Sequence, residues 1–284
     1  MSNKVAIITD STGCLTEDML KEYNIHTSYL MIIFGNESYQ EFKQISPAKF
    51  LELSSTQKEL PSTSQPAIGL TVELYENLLA EGYEDIIHIT ISSQISGSYQ
   101  SAISAADMVD ADKIHVFDSK TLTFPQGALA IEAAKLANNG ASASEILKIL
   151  EGMRTHTNLT AGIKVLDNLK KGGRLSNAEA AIGGLLQIKP IVHLTKSGLI
   201  EAAGKVRTFK KAIQFLVDTA KNANLDESYE ICILNMENPE DAATLKTAVK
   251  EVYPNIKIHE LPLSLVVAVH VGPGAVGVSW IKNK

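Results

Sequence analysis

The sequence predicts an α/β protein made of two α/β domains, with a mostly parallel sheet in the first. Three observations carry that expectation. Short runs at 5–9 (VAIIT), 86–91 (IIHITI) and 114–117 (IHVF) are apolar and β-branched with little polar interruption, as strands covered on both faces are. Each run is followed by a segment with helical spacing, and strand–helix alternation is the pattern of a parallel sheet. Each run also ends in a cluster of Asp, Ser or Thr: Asp10, Ser11 and Thr12; Ser92 and Ser93; Asp118 and Ser119. The carboxyl ends of parallel strands share one edge, where ligands bind at the switch in strand order.

Taken in order, the strand at 5–9 leads through Gly13 to a helix capped by Thr16 and running to about Glu22. Residues 26–34 read as one extended run closed by Gly35 and Asn36. Ser46 and Pro47 are the cap and first residue of a short helix over 47–53. The segment 60–66 (LPSTSQP) holds Pro61 and Pro66, so it is extended, and by itself it reads as a solvated linker. An amphipathic helix follows over 68–79, ending at Gly82. After the strand at 86–91, a helix starts near Ser98, with Tyr99, Ala102, Ile103, Ala106 and Val109 on one stripe. Helices are expected over 123–139, closed by Gly140, and over 145–153, with Ser142 and Ser144 as candidate caps. Residues 155–160 (THTNLT) are polar and carry no period, and the domain boundary is placed there, giving domains 1–158 and 159–284.

The second domain is expected to open with a strand over 161–165 and a short helix over 166–171, then Gly172, Gly173 and Arg174. A helix should run from Ser176 to Gly183 and Gly184. Lys189 interrupts the apolar run 185–192 and should lie at an edge or be paired. A hairpin around Lys196, Ser197 and Gly198, a helix over 209–222, a strand over 230–235, a helix over 240–252 and a strand over 256–261 complete the pattern. Residues 264–280 combine the apolar stretch 266–269 with His270 and a turn rich in Gly272, Pro273 and Gly274, and no element is assigned to them.

Composition narrows the function. A net charge of −6 over 284 residues disfavours a nucleic-acid or anionic-membrane surface, so small molecules or proteins are the expected partners. The amino terminus lacks an apolar export region and no apolar run approaches the ~18 residues needed to span a bilayer, so a cytoplasmic protein without integral membrane association is expected. Cys14 and Cys232 are too few for a disulfide framework and read as structural. No P-loop, G-x-S-x-G or H-E-x-x-H signature and no G-x-G-x-x-G after a strand occurs, and the seven histidines are dispersed, so no catalytic residue, metal or cofactor is assigned.

The turn at 92–101 (SSQISGSYQS) is the strongest candidate site. It should gather free backbone N–H groups at a helix start, with Gly97 letting a ligand approach the backbone. It contains hydroxyls and no Lys or Arg, which suits a carboxylate better than a polyphosphate. Ser98 as a simple N-cap in a serine-rich loop is the competing reading. A lone histidine such as His270, beside its glycine turn, is more often a satisfied structural residue than a catalyst, although a ligand can approach closely there, and the cations Lys205, Arg207, Lys210 and Lys211 are either a solvated face or a basic patch. Ser96 as nucleophile with His270 as base, in a stand-alone hydrolase or acyltransferase, is the alternative; it lacks a visible acid to orient His270.

Taken together, TDST at 9–12, PSTSQPA at 61–67, SSQISGSYQSA at 92–102, FDSK at 117–120, KGGRLS at 171–176, IKPI at 188–191, KVRT at 205–208 and VHVGPGAVGV at 269–278 resemble the DegV family from end to end. The resemblance implies a bacterial cytoplasmic fatty-acid-binding protein whose acyl chain lies in an apolar tunnel between two α/β domains. It implies that Thr63, Ser96, Gly97 and His270 bind the fatty-acid carboxylate, with Ser62 and Ser64 as additional donors. Some members of the family present a long-chain fatty acid to the catalytic subunit of a fatty acid kinase, which forms an acyl phosphate that is carried to an acyltransferase in phospholipid synthesis. On that resemblance Arg174 and Arg207 are docking residues for the kinase subunit, and the carrier itself has no catalytic residue.

Overall fold

The structure, a computed structural model, describes residues 4–57, 59–165, 167–175, 188–261 and 263–283. The chain forms two compact units: Met1–Thr155 with Ser264–Val266, and His156–Leu263 with Val267–Lys284.

In the first unit, strands β1 (Val5–Asp10), β2 (Ile25–Ser28), β6 (Asp85–Thr90) and β7 (Ile114–Asp118) form a parallel sheet in the order β2-β1-β6-β7. The expected α/β class and parallel sheet are therefore present. Strand alternation sends Ala6, Ile8, Ile86 and Ile114 into one core with Tyr75 and Leu78 of α3 (Ile68–Ala80) and Ala105 and Ala106 of α4 (Ser98–Val109). His88 lies on the same face, its Nδ1 2.6 Å from the Tyr75 hydroxyl, and burial lowers it to about 3, so the ring is neutral. Helix α5 (Thr123–Asn138) packs against β1 and β6. The local caps are as the sequence places them: Thr16 on α1 (Glu17–Tyr23) and Ser46 on α2 (Pro47–Thr56). Ser142 forms a full capping box with Glu145 on α6 (Ala143–Arg154).

The run 26–34 is not one strand. Its first half is β2, and its second half is β3 (Met31–Phe34) in a separate antiparallel sheet ordered β4-β3-β5, with β4 (Glu37–Gln40) and β5 (Ser62–Ser64). Leu30 makes the break: its N–H donates to Ser11 Oγ at 3.0 Å and its carbonyl accepts from Glu41 N at 3.1 Å, so its backbone serves loops and not a ladder. The proline-bracketed segment is extended, and it is a strand edge and not a free linker.

The second unit is built on a six-stranded sheet ordered β10-β9-β8-β13-β11-β12, in which only β11 and β12 pair in parallel. The strands are β8 (Thr157–Gly162), β9 (Lys189–Leu194), β10 (Ile200–Val206), β11 (Tyr229–Asn235), β12 (Lys257–Glu260) and β13 (Val276–Lys282). The helices are α7 (Asp167–Lys171), α8 (Phe209–Asn222), α9 (Pro239–Val252) and, from Val267 on, α10 (Leu265–Val271), whose first two residues count with the first unit. The polar run at 155–160 proves to enter an internal strand, because β9 and β13 pair with β8 on either side and satisfy its backbone. Residues 264–280, left unassigned by the sequence, supply α10 and β13. Lys189 is paired, its Nζ donating to the Lys164 carbonyl at 3.2 Å. The helix expected from Ser176 to Gly184 lies outside the described residues. Among the described residues no helix is long and apolar enough to cross a membrane.

Candidate functional site

Two carboxylates frame the turn after β6. They come from the ends of β1 and β7, the strands on either side of it. Asp10 Oδ2 accepts from Ile91 N at 2.7 Å, and its Oδ1 accepts from Thr12 N at 3.1 Å, Thr12 Oγ1 at 2.5 Å and Gln126 Nε2 at 2.9 Å. Asp118 accepts from Ser93 N at 3.2 Å, Ser93 Oγ at 2.6 Å and Lys120 N at 2.9 Å. The strand-end acids thus hold the turn in shape, and their acceptor capacity is spent on the protein itself.

The same is true of most amides in the turn. Ser92 N donates to Thr121 O at 2.9 Å, Ile95 N and Ser96 N both donate to Ser92 O at 3.2 Å, and Gln94 N donates to Ser92 Oγ at 3.3 Å. Ser98 N donates to Ser96 Oγ at 3.2 Å. Among the described residues the amide of Gly97 finds no acceptor, so the several free N–H groups expected at this turn reduce to Gly97 and the first turn of α4. Gly97 is the N-cap residue of α4 and offers no capping side chain. Ser96 Oγ stands 2.9 Å from Ser98 Oγ, at the helix start, with no cation in the turn.

Thr63 belongs to β5 and pairs with Ile32, flanked by Ser62 and Ser64. Side-chain alternation puts Thr63 on one face of this strand and Ser62 and Ser64 on the other, so the three hydroxyls do not serve a single ligand group from the same side. Ser64 Oγ donates to Gln65 O at 2.9 Å. The β5 segment reaches the serine turn through Gln65: a methyl group built on Gly97 would lie 3.2 Å from Gln65 Oε1. Sequence reasoning did not single out Gln65, although it stands inside the TSQP motif beside the residues it did choose.

Glu41 was also missed. It is fully buried, accepting from Ser11 Oγ at 2.5 Å, Ser264 Oγ at 2.8 Å and Val266 N at 3.1 Å, and so ties residues 264–266 into the first unit. Burial raises its carboxyl to about 7; the three donors pull it down and the Asp10 charge adds to the rise. The sign follows. A carboxyl that is easier to protonate when folded contributes stability that is complete below its unfolded pKa near 4.5 and lost as pH rises through about 7. The swing is on the order of 3 kcal/mol. His88 works against it, since a histidine lowered to about 3 costs stability as pH falls below 6.5. Urea unfolding of the wild type and Glu41→Gln between pH 4.5 and 8 isolates the carboxyl: the wild type should lose stability relative to the variant as pH rises. Parallel curves would show that Glu41 does not titrate in that window.

In the second unit, α10 carries His270 in its last turn. The ring is partly buried, and burial followed by the nearby Arg174 charge lowers it to about 4. Arg174 is half-buried, its Nη1 donating to Gly172 O at 2.5 Å. Arg207 is exposed, between the end of β10 and Thr208, the cap of α8, beside the exposed Lys205, Lys210 and Lys211. Of the sequence-chosen binding residues, Thr63, Ser96 and Gly97 therefore lie in the first unit and His270 in the second, with both docking arginines.

This arrangement matches known proteins over the whole chain. The family model described as "Uncharacterised protein, DegV family" covers residues 4–283. Protein DegV of Bacillus subtilis is 36% identical over 278 residues, covering 97% of this chain and 98% of that protein. Its structure, described as that of a fatty acid binding protein, has a TM-score of 0.87 and covers 99% of both chains. The structure described as "Fatty Acid Binding of a DegV family Protein from Thermus thermophilus" is 26% identical with a TM-score of 0.90, covering 98% of this chain and 99% of that one. With eight motifs in order, one family model from near the first residue to near the last, and relatives of the same length, the chain belongs to the DegV family.

Proposed function

We propose that this protein binds a long-chain fatty acid, holds its carboxylate with Thr63, Ser96, the Gly97 amide and His270, and presents it to a separate kinase subunit. The observation that carries the reading is the turn at 91–98, braced by two strand-end acids, the buried Asp10 and the partly buried Asp118, yet displaying hydroxyls, one unspent amide and no cation. Such a site offers a singly charged oxyanion short hydrogen bonds without the field of a phosphate site. The fatty acids bound by the relatives above are ligands of that kind. Alternation along β5 favours Thr63 over Ser62 and Ser64 as a donor from its side of the strand.

The cation beside His270 supports binding over proton abstraction. A general base becomes an imidazolium as it works, and the neighbouring Arg174 disfavours that charge, whereas a neutral ring can still donate one N–H to a carboxylate. We assign Arg174 and Arg207 to docking the kinase subunit, whose acyl-phosphate product an acyltransferase would receive. Calorimetric titration of lipid-free protein with oleate, paired with an acyl-phosphate assay on added kinase subunit and ATP, tests both halves. Wild type and Arg174→Ala should bind oleate within about threefold of each other, while the variant loses at least tenfold in acyl-phosphate formation. Equal loss of both activities would make Arg174 a structural residue, and failure of the wild type to take up oleate would overturn the fatty-acid assignment.

A further inference from the structure

Gly172 occupies a position that its backbone does not require to be glycine. Unlike its neighbour Gly173, at φ +66°, it is not in the left-handed region, so an L side chain could adopt its conformation. What forbids one is space. A methyl group built on Gly172 would lie 2.4 Å from His270 Nδ1 and 3.1 Å from both His270 Cε1 and the Asn168 carbonyl. At Gly173 the same methyl would meet nothing within 4 Å.

The surroundings of the two groups are tied together. Gly172 N donates to Asn168 O at 2.9 Å, and Asn168 Nδ2 donates to the carbonyl of Val269, the residue before His270, at 3.0 Å. One face of Asn168 also lies against Gly272, where a methyl would come within 3.1 Å of its Cγ. α7 is thus pinned near its start to the end of α10 by Asn168, and the missing side chain of Gly172 is filled by the edge of the imidazole.

We infer that Gly172 is a positioning residue for His270: the absence of its side chain forms the seat that fixes the imidazole, and Asn168 holds that seat against α10. The role given to the ring in carboxylate binding rests on the proposed function; the seat itself does not. It also gives the KGGR motif a task separate from partner docking. Gly173 supplies the turn, Gly172 supplies room, and Arg174 remains for the partner.

The test reads the ring first and the ligand second. In ligand-free protein, the imidazole NMR signals of His270 should move in Gly172→Ala. Oleate affinity should fall about tenfold in Gly172→Ala and in His270→Ala alike, and Gly172→Ala should add less than twofold in the His270→Ala background. Unmoved ring signals in Gly172→Ala, or two losses that multiply in the double variant, would overturn the inference. If Gly172→Ala does not fold, the double variant decides: recovery of folding on truncating the ring supports the seat, and an equally unfolded double variant refutes it. Should His270→Ala bind oleate like the wild type while Gly172→Ala still displaces the ring, the carboxylate role falls and the positioning role stands.

Discussion

Replacing Thr63 and Ser96 together by Ala is expected to weaken oleate binding about 100-fold while leaving the urea midpoint close to that of the wild type. A hydrogen bond to a charged group contributes roughly 1.5–3 kcal/mol, and about 1.4 kcal/mol is a factor of ten in affinity. Two such bonds at the lower end give about 100-fold. Neither side chain is part of an apolar core: both are partly buried, at the edge strand β5 and at the start of α4. On the Ser96 side the folded state loses the contacts of Ser96 Oγ with Ser98, at 2.9 Å to its Oγ and 3.2 Å to its N–H. The acyl chain is untouched by the substitutions, and at ~0.8 kcal/mol per buried CH₂ it supplies the bulk of the binding energy, so residual binding should remain. Calorimetry on lipid-free protein measures the change. Wild-type affinity in the double variant would place the carboxylate elsewhere.

Asp10→Ala should be the most damaging single change outside the apolar cores, lowering stability by about 3–5 kcal/mol in urea unfolding. Asp10 is fully buried, and its removal strips the acceptor from Ile91 N and Thr12 N and leaves Gln126 Nε2 with Thr9 Oγ1 alone. Burial raises its carboxyl above the usual range against the pull of those same donors, so the group is held by the fold at a desolvation cost. Against a typical total of ~5–15 kcal/mol such a loss approaches unfolding. Asp10→Asn keeps one acceptor oxygen and turns an N–H₂ toward the remaining donors, so it should fall between the two. A loss below 1 kcal/mol for Asp10→Ala would show that the serine turn holds its shape without the β1 carboxylate.

The parts of the fold that were legible in the sequence are those decided locally. β1, β6 and β7 announce themselves because both faces of a parallel strand are covered, which leaves unbroken apolar runs. Thr16, Ser46 and Ser142 announce their helices because an N-cap acts on amides two or three residues away. The break at Leu30 was not legible, since its backbone is claimed by Ser11 and Glu41, residues on other elements. Nor was β8, whose polar composition is tolerated because β9 and β13 flank it. α10 was hidden for a related reason: its short apolar run carries no helical stripe, and its first turn is held by Glu41, 225 positions away from Val266.

The site divides along the same line. The hydroxyls and the missing cation were plain in the turn itself, as was the glycine. What could not be read was which amides stay unspent, because that depends on Asp10, Asp118 and Thr121 arriving from neighbouring strands and loops. Gly172 shows the limit most clearly. Its neighbour Gly173 answers to a backbone angle, which turn chemistry can suggest, while Gly172 answers to an imidazole 98 positions further along, which only the fold brings to it.

Native mass spectrometry of the protein as purified, followed by identification of whatever lipid is released on denaturation, tests the central claim most directly. A long-chain fatty acid at one per protein, exchangeable for added oleate, is the predicted result and would also name the preferred chain. A protein that is empty as purified and takes up neither oleate nor palmitate would contradict the account, and the serine turn would then have to serve a different anion.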